Sequence, residues 1–300
     1  MKNMVALIGE QPIPNLLPIR YDKPEAVLLV RTVRTKPVSE RLKKVVQTDT
    51  LVEFCDISDQ CDPAITYRQI KNDLQRLGWL PTEIVFNITG GTKPMAFAAY
   101  HLALDQHSEF LYLESEEKKS RLRQYKFEQG LEILTRNEII PGIITIDEYL
   151  LAHLPGFRED GFSQENGQLT SGGLFEECLY NTLNGKVDEI KAGIRPDGVK
   201  EQLEIDLVIR CGNQVGIIEA KTGGMDKKGI DQLTNVGGRE YLGTYTVKFW
   251  VTGRIVRREL KTLAMARGIT VIELPEYIQG RPLSQKEKTR LIQIIREKLT

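Results

Sequence analysis

Asp206, Glu219 and Lys221 are the residues of this chain whose types and spacing most directly suggest chemistry. They lie within residues 203–221, two runs rich in Ile, Leu and Val joined by Gly212-Asn213. A Gly followed by a polar residue suits a two-residue type II′ hairpin turn, whose first central position needs φ > 0. With the turn centred there, residues whose numbers sum to 425 lie opposite each other, so Asp206 faces Glu219 and Glu204 faces Lys221. Alternation along a strand then puts all four on one face. Opposed Cβ atoms sit about 4.5–5.5 Å apart, and like charges there destabilise a sheet unless something bridges them. Carboxylate oxygens suit a hard divalent cation. Strands with such long apolar runs are usually buried, so charges in their middle need a reason. Two carboxylates and a Lys on one face point to a metal-dependent phosphodiesterase. The bland alternative is a set of solvated charges on the polar face of an amphipathic hairpin.

The pattern resembles the PD-(D/E)xK restriction-endonuclease-like fold, with an Asp on one strand and Glu-x-Lys on the next. Asp206, Glu219 and Lys221 match that motif, although the usual Pro before the Asp is absent. A helix over residues 174–183 precedes the hairpin. At helical spacing Leu174, Phe175, Cys178, Leu179 and Leu183 form its buried stripe, with Glu176 at the border and Glu177 more nearly outward. The resemblance implies Glu176, with Glu177 as the alternative, as an additional metal ligand. It also implies a positioning role for Gln232 on the following helix. The catalytic set is then Asp206, Glu219, Lys221 and Glu176, and the metal set is Asp206, Glu219 and Glu176. The implied cofactor is Mg²⁺ or Mn²⁺, which polarises a phosphoryl oxygen and acidifies a water. Lys221 would stabilise the charge developing on the phosphorane.

Composition narrows the alternatives. Lys plus Arg and Asp plus Glu each number 41, so any nucleic-acid surface must be a local patch. Basic residues do cluster at Arg254, Arg257, Arg258 and Lys261, and again at Arg281, Lys286, Lys288 and Arg290. Charge runs are usually solvated faces. Cys55, Cys61, Cys178 and Cys211 form no Cys-x-x-Cys pair and read as small buried hydrophobes of a reducing compartment. His101, His107 and His153 are scattered, which gives little support to a His-ligated metal or a catalytic His pair. No run approaches the roughly 20 apolar residues that span a bilayer, and no secretory signal is evident. The expectation is a soluble cytoplasmic protein without membrane contact.

The elements that must position these residues fall into two halves. Strands over residues 4–8, 26–30, 51–55, 83–88 and 110–113 alternate with helices over 13–20, 38–46, 63–77 and 93–105. Such alternation gives a parallel sheet covered on both faces, a Rossmann-like α/β domain, with a hairpin over 121–127 and 131–134 at its edge. Gly, Ser, Asn and acidic residues dominate from about 155 to 173, as in a linker. A helix, three strands, a helix, a strand, a helix, a strand and a last helix follow, an α/β unit with a mixed sheet. The expected division is a sensing domain over 1–154, a linker over 155–172 and a nuclease domain over 173–300.

The first half carries its own polar loops. Residues 85–95 read as a strand, a glycine turn and a helix start, with Thr92 able to cap and Pro94 suited to the first turn. Paired glycines let backbone N–H groups approach an anion at the helix N-terminus, and Lys93 adds a full charge. Neither a Walker A loop nor G-x-G-x-x-G is present. Gly9-Glu10-Gln11 and Asn15 form a second polar loop after the first strand. If the strand order is 3-2-1-4-5, the two loops meet at the topological switch point, where open α/β sheets bind ligands. This domain resembles a CRISPR-associated Rossmann-fold (CARF) domain, and the whole chain is similar to the ancillary nucleases of type III CRISPR systems. The resemblance implies a ligand set of Gly9, Glu10, Gln11, Asn15, Thr32, Thr89, Gly90, Gly91, Thr92, Lys93 and Met95. It implies a homodimer that binds one cyclic oligoadenylate, most plausibly cyclic tetra-adenylate, and then cleaves a DNA or RNA substrate. Two other readings stay open: a stand-alone repair or restriction nuclease with another nucleotide ligand, and a ligand-sensing transcription regulator without catalysis.

Overall fold

The computed structural model describes residues 2–80, 83–198, 204–223, 227–237 and 241–300, with the backbone alone at 228 and 232. The chain divides into two compact units. One ends at Ile144 and also takes in Leu151–His153, and the other holds Thr145–Leu150 and Leu154–Thr300.

In the first unit, β1 (Asn3–Leu7), α1 (Ile13–Asp22), β2 (Ala26–Arg31), α2 (Lys36–Val46), β3 (Leu51–Asp56), α3 (Pro63–Arg76), β4 (Ile84–Asn87), α4 (Lys93–Asp105) and β5 (Glu109–Glu116) alternate as the sequence predicts. A hairpin of β6 (Lys119–Glu128) and β7 (Leu131–Ile139) follows. The sheet order is β3-β2-β1-β4-β5-β6-β7, parallel through β5 and antiparallel beyond. Every residue of β2 is buried, as a parallel strand covered on both faces requires. The helices begin where the sequence supplies caps. Asp62 Oδ1 accepts from the Ala64 and Ile65 backbone N–H groups at 2.7 and 3.2 Å, and Pro63 follows it in the first turn. This is a Rossmann-like α/β fold.

The second unit begins at Thr145, which forms with Glu148 the capping box of α5 (Ile146–His153). Then come β8 (Phe157–Glu159), β9 (Gln164–Glu165), β10 (Gln168–Leu169), α6 (Ser171–Leu183), β11 (Glu189–Pro196), β12 (Ile205–Cys211) and β13 (Gln214–Lys221). They are followed by α7 (Lys227–Val236), β14 (Val247–Thr252), α8 (Arg258–Ala266), β15 (Ile269–Glu273) and α9 (Gln285–Leu299). The mixed sheet has the order β15-β14-β13-β12-β11-β8, antiparallel from β8 to β13 and parallel beyond. Residues 155–172, expected as a linker, instead give an edge strand to this sheet: β8 pairs with β11 from Ile194↔Glu159 to Pro196↔Phe157. Polar composition does not reveal an edge strand whose partner lies over thirty residues away in sequence. Cys61 is exposed and Cys178 half-buried, so only Cys55 and Cys211 fit the expectation of buried thiols. Among the described residues no helix is long and apolar enough to cross a membrane.

Phe175, Leu179 and Leu183 of α6, Leu207, Ile209 and Ile218 of the hairpin, and Leu291 and Ile295 of α9 share one core. Leu207→Ala removes a fully buried side chain from its centre. It is expected to cost about 2–5 kcal/mol, read as a lowered midpoint of the unit's urea unfolding transition.

Candidate active site and ligand-binding loops

The β12–β13 ladder pairs Leu207 with Ile218 and Cys211 with Gln214, the register in which residue numbers sum to 425. Gly212 takes φ 58°, and Asn213 is not among the positive-φ residues, as a type II′ turn requires. At the far end the ladder opens. The Ala220 N–H, which the register would aim at the strand opposite, donates instead to Asp206 Oδ2 at 2.7 Å. Asp206 is 7% exposed. Lys221 Nζ lies 2.6 Å from Glu219 Oε1 and 3.8 Å from Asp206 Oδ2, so the structure brings the three expected residues together. Fully buried Trp250 is the register partner of Glu219 on β14.

Burial holds the Asp206 carboxyl well above the usual carboxylate range, and the nearby charge of Glu219 pushes it further. Lys221 and the Ala220 N–H pull it down without reversing the shift, and Glu176 adds to the rise. Burial depresses Lys221, but Asp206 and Glu219 outweigh it and leave the ammonium above its ordinary value. One ammonium therefore serves two carboxylates. The described residues hold no cluster of three or more His, Cys, Asp or Glu side chains arranged for a metal ion. A pair of carboxylates is nevertheless a donor set that fits Mg²⁺, which keeps several waters and takes one or two protein carboxylates.

The other predicted residues divide. Glu176, not Glu177, is buried and close enough to influence Asp206, but both its oxygens accept from Ser163, from N–H at 2.9 Å and Oγ at 2.8 Å. Leu174 and Cys178 are only partly buried, so the stripe of α6 is rotated toward Glu176 relative to the sequence expectation. The β12–β13 pairing stops short of Glu204 and Lys221, and Glu204 accepts from Arg195 Nη2 of the neighbouring β11 at 2.8 Å. The Gln232 side chain lies outside the described residues. Ser163, Trp250 and Arg195 escaped the sequence reading, since nothing local distinguishes them from ordinary loop and strand residues.

In the first unit β1 and β4 are neighbours, so the loops after them meet as predicted. A Cβ on Gly90 would lie 2.1 Å from the Leu7 carbonyl oxygen, and one on Gly9 would touch the Gly91 backbone at 3.5 Å. Gly91 itself sits at φ 73°. Asn87, which the sequence reading left as a strand residue, ties these loops together. Its Nδ2 donates to Asn15 Oδ1 and the Pro14 carbonyl, both at 3.1 Å, and its Oδ1 accepts from Thr89 N–H at 3.1 Å and Oγ1 at 2.6 Å. A polar residue ending the apolar run Val85-Phe86 was the available signal.

Several expected ligand residues are thereby committed to the fold. Asn15 is fully buried and donates to the Leu7 carbonyl at 3.0 Å. Thr89 Oγ1 also accepts from the Leu113 N–H at 2.8 Å. Thr92 Oγ1 donates to the Gln60 carbonyl at 2.9 Å and caps α4. Thr32 is buried in a capping box with Thr35, and Met95 is fully buried in the core. Glu10 pairs with Arg34 at 2.7 Å, and Gln11 lies beside it on the same loop. Gly9, Gly90 and Gly91 form the loop contact, and Lys93 is exposed at the start of α4.

Residues 4–149 match the family described as the Card1 CARF domain. Comparison with curated proteins by sequence finds no match. Among solved structures, Can2 from Sulfobacillus thermosulfidooxidans in complex with cyclic tetra-adenylate is similar over 99% of this chain and 99% of its own, at 18% identity and a TM-score of 0.75. A Vibrio cholerae protein is similar over 99% of this chain and 98% of its own, at 15% identity and a TM-score of 0.74. A type III CRISPR defence DNA nuclease activated by cyclic oligoadenylate covers 97% of this chain with 51% of its own, at 14% identity and a TM-score of 0.63. At these identities the likeness is one of fold.

Because the native state binds the Asp206 proton more tightly than the unfolded chain does, stability falls as pH rises from the ordinary carboxylate range through the raised value. Asp206→Asn keeps an acceptor for the Ala220 N–H and removes the charge. In EDTA it is expected to raise Tm at neutral pH and to change it little near pH ~4, the unfolded Asp value. Equal shifts at both pH values in thermal melts would contradict the assignment.

Proposed function

We propose, from the match of residues 4–149 to the Card1 CARF domain family, that this chain is a metal-dependent nuclease of type III CRISPR defence, switched on by a cyclic oligoadenylate. The observation that carries the catalytic half is the convergence of Lys221 Nζ on Glu219 and Asp206 at the open end of a buried ladder. A structural ion pair would need one carboxylate. A second, held above its ordinary range by burial and by its neighbour, is a standing cost that a divalent cation would offset.

In this reading Asp206 and Glu219 hold Mg²⁺ or Mn²⁺. When bound, the ion supplies Lewis-acid polarisation of the scissile phosphate and a more acidic water. The chain's own groups do the rest. The Ala220 N–H fixes the Asp206 carboxylate, and Glu219 fixes the Lys221 ammonium. Lys221 keeps its proton at Nζ and donates toward the phosphoryl oxygens as their negative charge grows. Glu176 braces the Ser163 loop and adds negative potential beside Asp206. DNA and RNA present the same phosphodiester to these groups, and both are candidate substrates.

Cyclic tetra-adenylate is the proposed activator, supported by the CARF family and by the ligand of the Can2 structure. Two copies would share one cyclic ligand, each offering the Gly9 and Gly90-Gly91 backbone and the exposed Lys93 ammonium to its phosphates. Asn15, Asn87 and Thr89 hold those loops in place from beneath. In this reading the chain acts as a soluble homodimer.

With Mn²⁺ and cyclic tetra-adenylate, the protein is expected to cut labelled single- or double-stranded nucleic acid and to stop in EDTA. Asp206→Ala, Glu219→Ala and Lys221→Ala are each expected to lose cleavage while keeping a cooperative melt. Full activity in all three at matched purity would falsify the assignment.

The sensor is tested without catalysis. A ligand bound to the native protein stabilises it by about 2.7 kcal/mol at a hundredfold excess over Kd. Cyclic tetra-adenylate is expected to raise Tm equally in wild type and Glu219→Ala, and Lys93→Ala is expected to lose most of that rise. A wild-type melting curve that no cyclic oligoadenylate moves would remove the sensor.

A further inference from the structure

The basic residues near the C-terminus are not spread evenly over a solvated face. Leu174, Glu177, Cys178 and Asn181 of α6 and Gln285, Lys288 and Ile292 of α9 wall a groove of about 660 Å³ in the second unit. Lys186 closes it after α6, and Arg281 before α9. The Cys178 thiol donates to the Arg281 carbonyl at 3.6 Å and ties the two walls together. Lys186, Arg281 and Lys288 make no ion pair among the described residues, whereas neighbouring Lys286 is spent on Glu276. Glu177 is the single carboxylate in the lining, set against three ammonium or guanidinium groups. Asn181, Asn184 and Gln285 add amide donors.

Along α6 from Leu174 to Thr182 the lining extends about 12 Å at 1.5 Å per residue, longer than one phosphate needs, and Lys186 continues it past the helix end. Glu176, between Leu174 and Glu177 in sequence, is buried on the other side of α6 and its charge is felt at Asp206, so the groove follows the outer face of the helix whose inner face approaches the acidic pair. We propose that this α6–α9 groove is the track for the nucleic-acid backbone, with Lys186, Arg281 and Lys288 contacting successive phosphates. Phosphate contacts by cations and amides position a strand without reading its bases. The inference rests on the nuclease reading, but its test does not require cleavage.

The test uses the full chain in EDTA, with fluorescein-labelled oligothymidylate and oligouridylate followed by anisotropy over a range of salt concentrations, with and without cyclic tetra-adenylate. Both probes are expected to bind. Arg281→Ala with Lys288→Ala is expected to weaken both several-fold and to lower the log Kd–log salt slope by about 1.4, about 0.7 per lost single-strand phosphate contact. Lys286→Ala is expected to leave Kd and slope unchanged, and Lys288→Arg to retain binding. Four outcomes would overturn the proposal: no binding by wild type, an unchanged slope in the double variant, equal weakening by Lys286→Ala, or displacement of the probe by polyglutamate as effective as by unlabelled strand. If both probes bind as expected but wild type with Mn²⁺ and activator cuts nothing, the nuclease reading fails while the groove stands.

Discussion

Two carboxylates opposed across a buried antiparallel ladder are the constraint around which the second unit is arranged. Neither can be solvated well, and their mutual repulsion works against the pairing that brings them together. The sheet responds by opening: the pairing stops at Leu207↔Ile218, and the freed Ala220 N–H turns to Asp206. Lys221 reaches both carboxylates, and buried Trp250 stands beside Glu219 on β14. The surrounding apolar residues supply stability that this corner does not. Such a corner adds little to stability, and the proposed metal site would offset its cost.

The first unit solves a different problem with the same economy. Two loops at the carboxyl ends of β1 and β4 approach so closely that one of them tolerates no Cβ at Gly90. The approach leaves buried polar groups, and Asn87 satisfies them through Asn15, Pro14 and Thr89. The loops are thereby fixed before any ligand arrives, which reduces the ordering a ligand must pay for. The side chains that fix them are turned inward, so under the proposed function contact with a ligand would fall to backbone and to exposed groups such as Lys93.

Much of this was legible in the residues. The Gly212-Asn213 turn set the hairpin register, the alternating strand and helix pattern marked a parallel sheet, and the order 3-2-1-4-5 on which the meeting of the two loops was conditional is the one the sheet adopts. The cap Thr92 marked a helix start because its chemistry is local. What escaped depends on partners distant in sequence. Glu204 is claimed by Arg195 across β11, and Glu176 by Ser163 before α6. Asn15, Thr89 and Met95 sit in a ligand-type motif yet are consumed by the fold, a distinction periodicity cannot draw. The strand β8 hides in polar text because an edge strand needs little apolar pattern.

Calorimetric titration of the full chain with Mn²⁺ tests the central claim most directly. If Asp206 and Glu219 form a site strained by an elevated carboxyl, Mn²⁺ binds and releases a proton, and the release grows as the pH is lowered. Asp206→Asn then loses both the binding heat and the buffer-dependent part of it. Heats no larger than dilution in the wild type, or binding that survives Asp206→Asn with its proton release intact, would contradict the account.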